Sequence, residues 1–216
     1  MLSGCGLESF MEDTLQNKDV RIDCSEGISL LCLEAHDDHD DHGDHDGHDH
    51  GEHDPHIWLN PDNAAAMTRN IAAGLSAQYP EYAEQFSENA EAYCERLAAL
   101  KADGQAMLAD LQCRELITFH DGFAYFADAF DLTIIAAIEE ESGSEASAKE
   151  LEAIVHLVRE HQLPAIFVEE NGSKSAASVI ASETGCATGT LNMVMSGTDY
   201  FEAMESNLTA VKEVLS

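Results

Sequence analysis

The segment from Glu81 to Leu111 constrains the fold more than any other, because it lacks proline and carries apolar side chains at helical spacing. Steps of mostly three and four residues separate these side chains, which are Tyr82, Phe86, Tyr93, Leu97, Leu100, Met107, Leu108 and Leu111, with Ala90 filling a gap. This stripe predicts one long amphipathic helix. Because about 30 helical residues span about 45 Å, we expect a strut rather than part of a compact core.

After Glu115 the sequence alternates between short apolar runs and helical stretches. The apolar runs predict buried strands at Leu116–Phe119, Thr133–Ile138, Ala165–Val168 and Cys186–Leu191. Between and after them, a capping box at Ser147–Glu150 starts one helix, a second helix runs from about Ser173 to Glu183, and Asp199 caps a terminal helix. This order predicts a parallel sheet wrapped by helices.

The part of the chain before Glu81 is less regular. Asn60 and Pro61 form a favourable helix start, an N-cap followed by proline at the first helical position, and this helix should run to about Gln78. Nearer the start, Leu7–Leu15 could form a short amphipathic helix and Val20–Asp23 a short strand.

Residues 36–56 contain eight histidines and nine acidic residues among 21 positions. Most imidazoles are unprotonated near neutral pH and suit zinc, copper and nickel. Such a composition is typical of metal binding, whereas an expression tag would be an uninterrupted run at a terminus. We define the His-rich tract as residues 36–53 and predict a flexible loop that binds several zinc ions loosely. Its candidate ligands are His36, His39, His42, His45, His48, His50 and His53.

Two further histidines lie where a specific site would form. His56 follows a proline and precedes the helix that starts at Pro61. His120 directly follows the strand Leu116–Phe119, and ligands of open α/β sheets bind at the carboxyl ends of strands. We therefore predict that His56 and His120 share one metal ion.

Other polar residues are weaker candidates. His156 and His161 lie in or near the end of a predicted helix, which favours a surface position. Six acidic residues follow the second and third strands: Glu139, Glu140, Glu141, Glu145, Glu169 and Glu170. Acidic runs are usually solvated, although any of these could reach a site at the same edge of the sheet.

Charge and cysteine content exclude several classes of protein. The net charge is −32 and extends well beyond the His-rich tract, so neither nucleic acid nor an anionic membrane surface is an expected partner. No apolar run is long enough to span a membrane. The six cysteines lack a CxxC pair or regular spacing, which favours free thiols over a disulfide framework.

Catalytic motifs are absent from the sequence. It contains no HExxH, no G-x-S-x-G and no glycine-rich phosphate loop. A catalytic zinc usually has three protein ligands, and only two of the four histidines outside the tract, His56 and His120, are candidate ligands. We therefore predict that the protein is not an enzyme, and a metallohydrolase is the least favoured function.

The order of several segments is characteristic of one family. They are Gly6–Phe10, the His-rich tract, Asp54–Pro61 (DPHIWLNP), Thr118–Phe126 (TFHDGFAYF), Ser144–Leu151, Ile166–Glu170 and Asp199–Met204. Together they resemble the zinc- and manganese-binding solute receptors of bacterial ABC importers, the cluster A-I family. The resemblance covers essentially the whole chain, and the His-rich tract points to the zinc branch.

The resemblance implies a two-lobed α/β solute-binding-protein fold, with parallel sheets joined by a long helix and the first lobe largely missing. Residues 1–80 would be the remnant of the first lobe, 81–111 the inter-lobe helix and 112–216 the second lobe. His56 and His120 would hold Zn²⁺, or alternatively Mn²⁺, between the lobes. The expected partner is the membrane permease of an ABC importer.

Two departures from the family affect the predicted site. The family's first ligand histidine has no counterpart here, and Leu191–Met195 (LNMVM) lacks the usual late carboxylate, so Asn192 is only a candidate ligand. The cleft should therefore bind zinc more weakly than the site of a whole receptor. A zinc buffer or metallochaperone that acts through the tract alone remains the alternative function.

The resemblance also implies export of the parent protein to the periplasm or to a lipid anchor on the cell surface. Leu2–Gly6 (LSGCG) resembles a lipoprotein cleavage site, but only Met1 precedes it. Since export requires a charged and an apolar segment upstream, we interpret this match as coincidence. The sequence as it stands lacks a signal peptide.

Overall fold

The computed structural model describes residues 2–5, 8, 21–32, 53–139, 146–170, 174–195, 197 and 199–216. Its helices are α1 (Pro61–Gln78), α2 (Ala83–Met107), α3 (Ala124–Ala129), α4 (Ala148–Glu160), α5 (Lys174–Thr184) and α6 (Tyr200–Leu215). Its strands are β1 (Glu115–His120), β2 (Thr133–Glu139), β3 (Ala165–Glu169) and β4 (Ala187–Leu191). Short 3₁₀ turns at Ile57–Leu59 and Pro80–Tyr82 precede α1 and α2.

The four strands form one parallel sheet in the order β2-β1-β3-β4, as predicted. Strands β1 and β3 are therefore interior, with neighbours on both sides. The register of β1 against β2 shifts between Leu116 and Ile117. Because all strands run in the same direction, their carboxyl ends share one edge, and His120 lies at that edge.

Side chains alternate between the two faces of the sheet, and helices cover both, as predicted. Leu116 and Phe167 face a core built with residues of α2, α3 and α6. Ile117 and Ile166 face the opposite core, which α4 and α5 complete. Burial on both faces explains why these strands are continuous apolar runs in the sequence.

Helix α2 confirms the predicted long helix, since it is continuous for 25 residues within the predicted range. The expectation that it stands apart from a compact core is wrong, because Leu97 and Leu100 belong to the main core. The predicted stripe is wrong at Tyr82 and Met107, which are exposed. Near its end, Gly104 allows α2 to approach its neighbours closely. A Cβ there would lie 2.6 Å from Phe130 and 2.8 Å from Leu208.

The predicted helix starts are also confirmed. Asn60 accepts a hydrogen bond from the backbone N–H of Asp62, at 2.9 Å. Ser147 and Glu150 form the capping box of α4, and Asp199 caps α6. Helix α3 was not predicted, because its six residues are too few to show a helical period.

The predictions for the start of the chain have mixed outcomes. Of Leu7–Leu15, only Glu8 belongs to the described residues, so the predicted helix lies outside them. At the predicted strand Val20–Asp23, the described residues show only a single parallel bridge between Asp23 and Leu2. Cys5 packs against the main core.

All six cysteines are free thiols. No helix among the described residues is both long and apolar enough to cross a membrane.

Candidate metal centre

The structure brings together His56 and His120, which lie 64 positions apart in the sequence. Their Nε2 atoms are 3.4 Å apart. The two rings are almost perpendicular, with an angle of 88° and centroids 5.1 Å apart. The prediction that these histidines approach each other is therefore confirmed.

The distance between the two Nε2 atoms matches a shared zinc ion. Zinc binds imidazole nitrogen at about 2.0–2.1 Å and prefers tetrahedral geometry, so two of its nitrogen ligands lie about 3.3 Å apart. The 3.4 Å observed here is close to that value. A metal could bind with little movement of either ring.

Asp54 fixes the orientation of His56. Its Oδ1 lies 2.6 Å from His56 Nδ1 and accepts a hydrogen bond of 2.8 Å from the His56 backbone N–H. Asp54 is fully buried. A carboxylate at this distance keeps the proton on Nδ1, which leaves the lone pair on Nε2 directed at His120. The spacing Asp54-Pro55-His56 thus produces a metal ligand already in its binding tautomer.

His120 is held through its backbone rather than through its ring. It ends the interior strand β1, and its carbonyl accepts a hydrogen bond of 3.0 Å from the Thr118 hydroxyl. Its buried Nδ1 has no hydrogen-bond partner among the described residues. A proton on His120 Nε2 would donate to the lone pair of His56 Nε2, and metal binding would require that proton to move to Nδ1.

Gly122 provides the space in which the two rings meet. A Cβ at this position would lie 2.7 Å from His120 Cδ2, 2.9 Å from His56 Cε1 and 2.9 Å from Met193 Cε. Any side chain would therefore displace the imidazoles. The sequence reasoning missed both Gly122 and Met193, although His120-Asp121-Gly122 at a strand end was a usable signal for the glycine.

Asn192 lies beside the site, and hydrogen bonds occupy both polar atoms of its side chain. Its Oδ1 accepts from the Val194 backbone N–H at 2.6 Å, and its Nδ2 donates to Glu170 Oε2 at 2.6 Å. Asn207 bonds the backbone N–H and carbonyl of Asn192. Asn192 as a metal ligand stays a prediction, and coordination would use the remaining lone pair of Oδ1.

The structure joins residues on the two sides of the His-rich tract. Cys32, four positions before the tract, and His53, its last residue, form an antiparallel bridge, and the Asp54 backbone N–H donates to the Leu31 carbonyl at 3.0 Å. The chain therefore returns to the same place after the tract, three residues before His56. His53 has a buried Nδ1 without a partner among the described residues. The other tract ligands, His36, His39, His42, His45, His48 and His50, lie outside the described residues.

Within the described ranges, no group of three or more His, Cys, Asp or Glu side chains could hold a metal. Among the described residues, the candidate site thus offers two imidazoles and no third ligand of these types. Burial raises the pKa of the Cys5 thiol, with nearby Asp23 and Asp54 acting in the same direction. Since the metal ligand is the thiolate, Cys5 does not supply a ready donor.

The remaining candidates have different outcomes. His156 and His161 are exposed, as predicted, and His161 Nδ1 lies 2.8 Å from Glu115 Oε2. Among the acidic residues, Glu169 is half-buried at the end of β3, and Glu170 contacts Asn192. The side chain of Glu139 and the residues Glu140, Glu141 and Glu145 lie outside the described part of the chain.

A family model described as "Zinc-uptake complex component A periplasmic" matches residues 1–214. The chain is 34% identical over 209 residues to the zinc-binding lipoprotein AdcA of Streptococcus pneumoniae serotype 4, which covers 93% of this chain and 42% of that protein. It is 29% identical to a putative metal-binding protein of Treponema pallidum, over 99% of this chain and 70% of the relative. The chain thus spans less than half the length of the streptococcal relative.

Two solved structures of ZnuA are also similar to this chain. A crystal structure of ZnuA superposes with a TM-score of 0.85 at 28% identity, over 100% of this chain and 79% of the other. A zinc-bound deletion mutant of ZnuA superposes with a TM-score of 0.82 at 27% identity, over 100% of this chain and 77% of the other. Both similarities extend over the whole of this chain.

Proposed function

Because the chain belongs to the family of periplasmic A components of zinc-uptake complexes, we propose that it is a receptor that binds zinc between His56 and His120. The observation that carries this proposal is the 3.4 Å separation of the two Nε2 atoms. A chance contact of two histidines would not require a buried carboxylate behind one ring, a glycine between both rings and the end of an interior strand.

The proposed cargo is Zn²⁺, with Mn²⁺ as the alternative. Imidazole nitrogen suits zinc, whereas manganese prefers carboxylate, carbonyl and water oxygens. The described site offers two nitrogens and no carboxylate in position to join them. The ligand chemistry therefore favours zinc, and water or a tract histidine would complete its coordination.

The proposed partner is the membrane permease of an ABC importer, outside the cytoplasm. In this proposal α2 connects two lobes, with residues 1–80 belonging to the first and residues 112–216 forming the second. His56 comes from the first part and His120 from the second. A site that bridges two lobes can couple metal binding to their relative position, which a permease can recognise.

The proposal is tested by measuring zinc affinity against a competing chelator that keeps free zinc low. Under these conditions the loosely binding tract stays empty, and only the tightest site is populated. We expect one zinc per chain, and loss of this event when either His56 or His120 is replaced by alanine.

His156→Ala is the matched control, since His156 is an exposed histidine on α4. It should leave the tightest event unchanged. If instead deletion of the tract removes the tightest event, the tract is the main site and the zinc-buffer function replaces the receptor.

A further inference from the structure

We propose that Met193 makes the two-histidine site a binding site for Cu(I), a soft monovalent cation, in addition to zinc. This inference rests on the proposed function, because it uses the same pair of imidazoles. It assigns a third donor, the thioether sulfur, to a site whose described His, Cys, Asp and Glu residues supply only two ligands.

The position of the Met193 side chain is the first argument. One point beside Gly122 lies 2.9 Å from Met193 Cε, 2.9 Å from His56 Cε1 and 2.7 Å from His120 Cδ2. The two ring carbons are each bonded to the Nε2 atom that would bind metal. The Met193 methyl group, which is bonded to the thioether sulfur, and a ring carbon next to each Nε2 atom therefore border the same small volume.

The backbone at Met193 is held firmly, which is the second argument. The Trp58 indole N–H donates to the Met193 carbonyl at 2.9 Å, and the Trp58 ring packs against His56 with centroids 5.4 Å apart. Trp58 thus ties Met193 to one of the two ligands. The Tyr200 hydroxyl in turn donates to the Trp58 carbonyl at 2.9 Å.

The residue after Met193 adopts a costly conformation, which is the third argument. Val194 has φ of +59°, a value that a β-branched residue rarely adopts. Such strain is unfavourable and concentrates at functional sites. The Asn192 side chain supports this turn by accepting from the Val194 N–H at 2.6 Å. The strained turn presents Met193 to the histidines.

The donor set determines the class of metal. Thioether sulfur is a soft ligand that selects Cu(I), and imidazole also suits copper. Cu(I) accepts a low coordination number, whereas zinc prefers four ligands. Two imidazoles and one thioether therefore satisfy Cu(I) more fully than they satisfy zinc.

The test uses the full chain with ¹³C-labelled methionine methyl groups and Ag(I) as a redox-inert probe for Cu(I), in chloride-free buffer. The four cysteines that are not buried, Cys5, Cys32, Cys113 and Cys186, are replaced by serine, because free thiols bind Ag(I) more tightly than a thioether does. The His-rich tract contains no methionine, so Ag(I) bound there does not shift a methyl signal directly. Met193→Leu and Met195→Leu assign the two signals. Met195, which is 63% exposed, serves as the internal control for nonspecific thioether binding.

We expect Ag(I) to shift the Met193 methyl signal and leave that of Met195 in place, and we expect His56→Ala to abolish the shift. Met193→Leu should lower the ratio of Ag(I) to Zn(II) affinity at least fivefold, and Met195→Leu should not change it. The proposal would be overturned if Ag(I) did not shift the Met193 methyl signal, or if it shifted the Met193 and Met195 signals equally. It would also be overturned if the Met193 shift survived His56→Ala, or if Met193→Leu left the ratio of Ag(I) to Zn(II) affinity unchanged. Zinc binding to the histidine pair is measured separately, so its failure would identify an error in the proposed function itself.

Discussion

His56 and His120 each direct Nε2 towards the other ring, but the protein positions the two side chains in different ways. His56 is fixed by a buried charge, since Asp54 contacts both its ring and its backbone N–H. His120 has an unpartnered Nδ1 among the described residues and is positioned by the end of strand β1 and by Thr118. One ligand therefore depends on a local carboxylate, and the other depends on the packing of the sheet.

This difference shows how a two-ligand site can be preorganised without a symmetrical arrangement. The Asp54 carboxylate selects the tautomer of one ring and increases its basicity as a ligand. The sheet supplies a rigid position for the other ring. Substitutions at each side should therefore have different effects on zinc affinity and on stability.

The largest expected effect comes from removing either imidazole. His56→Ala or His120→Ala should weaken the tightest zinc event by more than tenfold, which is about 1.4 kcal/mol. The double variant should lose little more than a single variant, because one remaining imidazole cannot hold the ion alone. Calorimetry with a competing chelator measures all three. Additive losses would show that the histidines do not share a metal.

Asp54→Asn tests the contribution of the Asp54 carboxyl group to the orientation of His56. The substitution keeps the shape and removes the negative charge behind His56, and loss of such a partner typically costs about 10–100-fold in metal affinity. We expect a loss near the lower value, because the amide oxygen can still accept from Nδ1–H. Asp54 Oδ2 is buried without a partner among the described groups.

Since the amide introduced at this position would keep the Oδ1 contacts with His56 and would leave one buried polar atom unpartnered, as Asp54 does at Oδ2, Asp54→Asn should change the thermal stability of the metal-free protein little. Zinc affinity by chelator competition and melting by circular dichroism separate the two effects. Equal zinc affinity in the variant would mean that Asp54 has only a structural role.

Gly122→Ala tests whether the space between the two rings is needed, and we expect a smaller effect on zinc affinity. The added methyl group would overlap both imidazoles, and overpacking of this kind costs about 1–3 kcal/mol. Part of that cost falls on zinc affinity, because the rings must move apart, so we expect a loss of several-fold. The crystal structure of the variant should show an Nε2–Nε2 distance above 3.4 Å. An unchanged Nε2–Nε2 distance together with an unchanged zinc affinity would contradict the proposal that Gly122 leaves the space in which the rings meet.

The smallest effect on the tightest event is expected from deleting residues 36–53. The tract should contribute several weak zinc events, because its ligands are many but not preorganised. Its removal should abolish those events in calorimetry and leave the His56–His120 event nearly intact. A joining segment of a few glycines and serines would preserve the hydrogen bond from the Asp54 backbone N–H to the Leu31 carbonyl.

Local sequence patterns were sufficient to predict most of the second half of the fold. Apolar runs identified all four strands, and the capping residues Asn60, Ser147 and Asp199 marked three helix starts that the structure confirms. These signals are reliable because they depend on hydrogen bonds and side-chain periodicity within a few residues. The predicted apolar stripe failed at Tyr82 and Met107, whose side chains are exposed, because helical spacing alone does not show which apolar positions the tertiary structure covers.

The sequence by itself also identified the two candidate ligands, since a histidine at a helix entry and another at a strand end can be recognised by position. Only the tertiary structure decided that their Nε2 atoms lie 3.4 Å apart, that Gly122 leaves the space between them and that Met193 borders it. It also decided that the side chain of Asn192 is committed to Val194 and Glu170. These facts depend on how β1, the turn before α1 and the segment after β4 pack together, and contacts between residues so distant in the chain leave no periodic signal in the sequence.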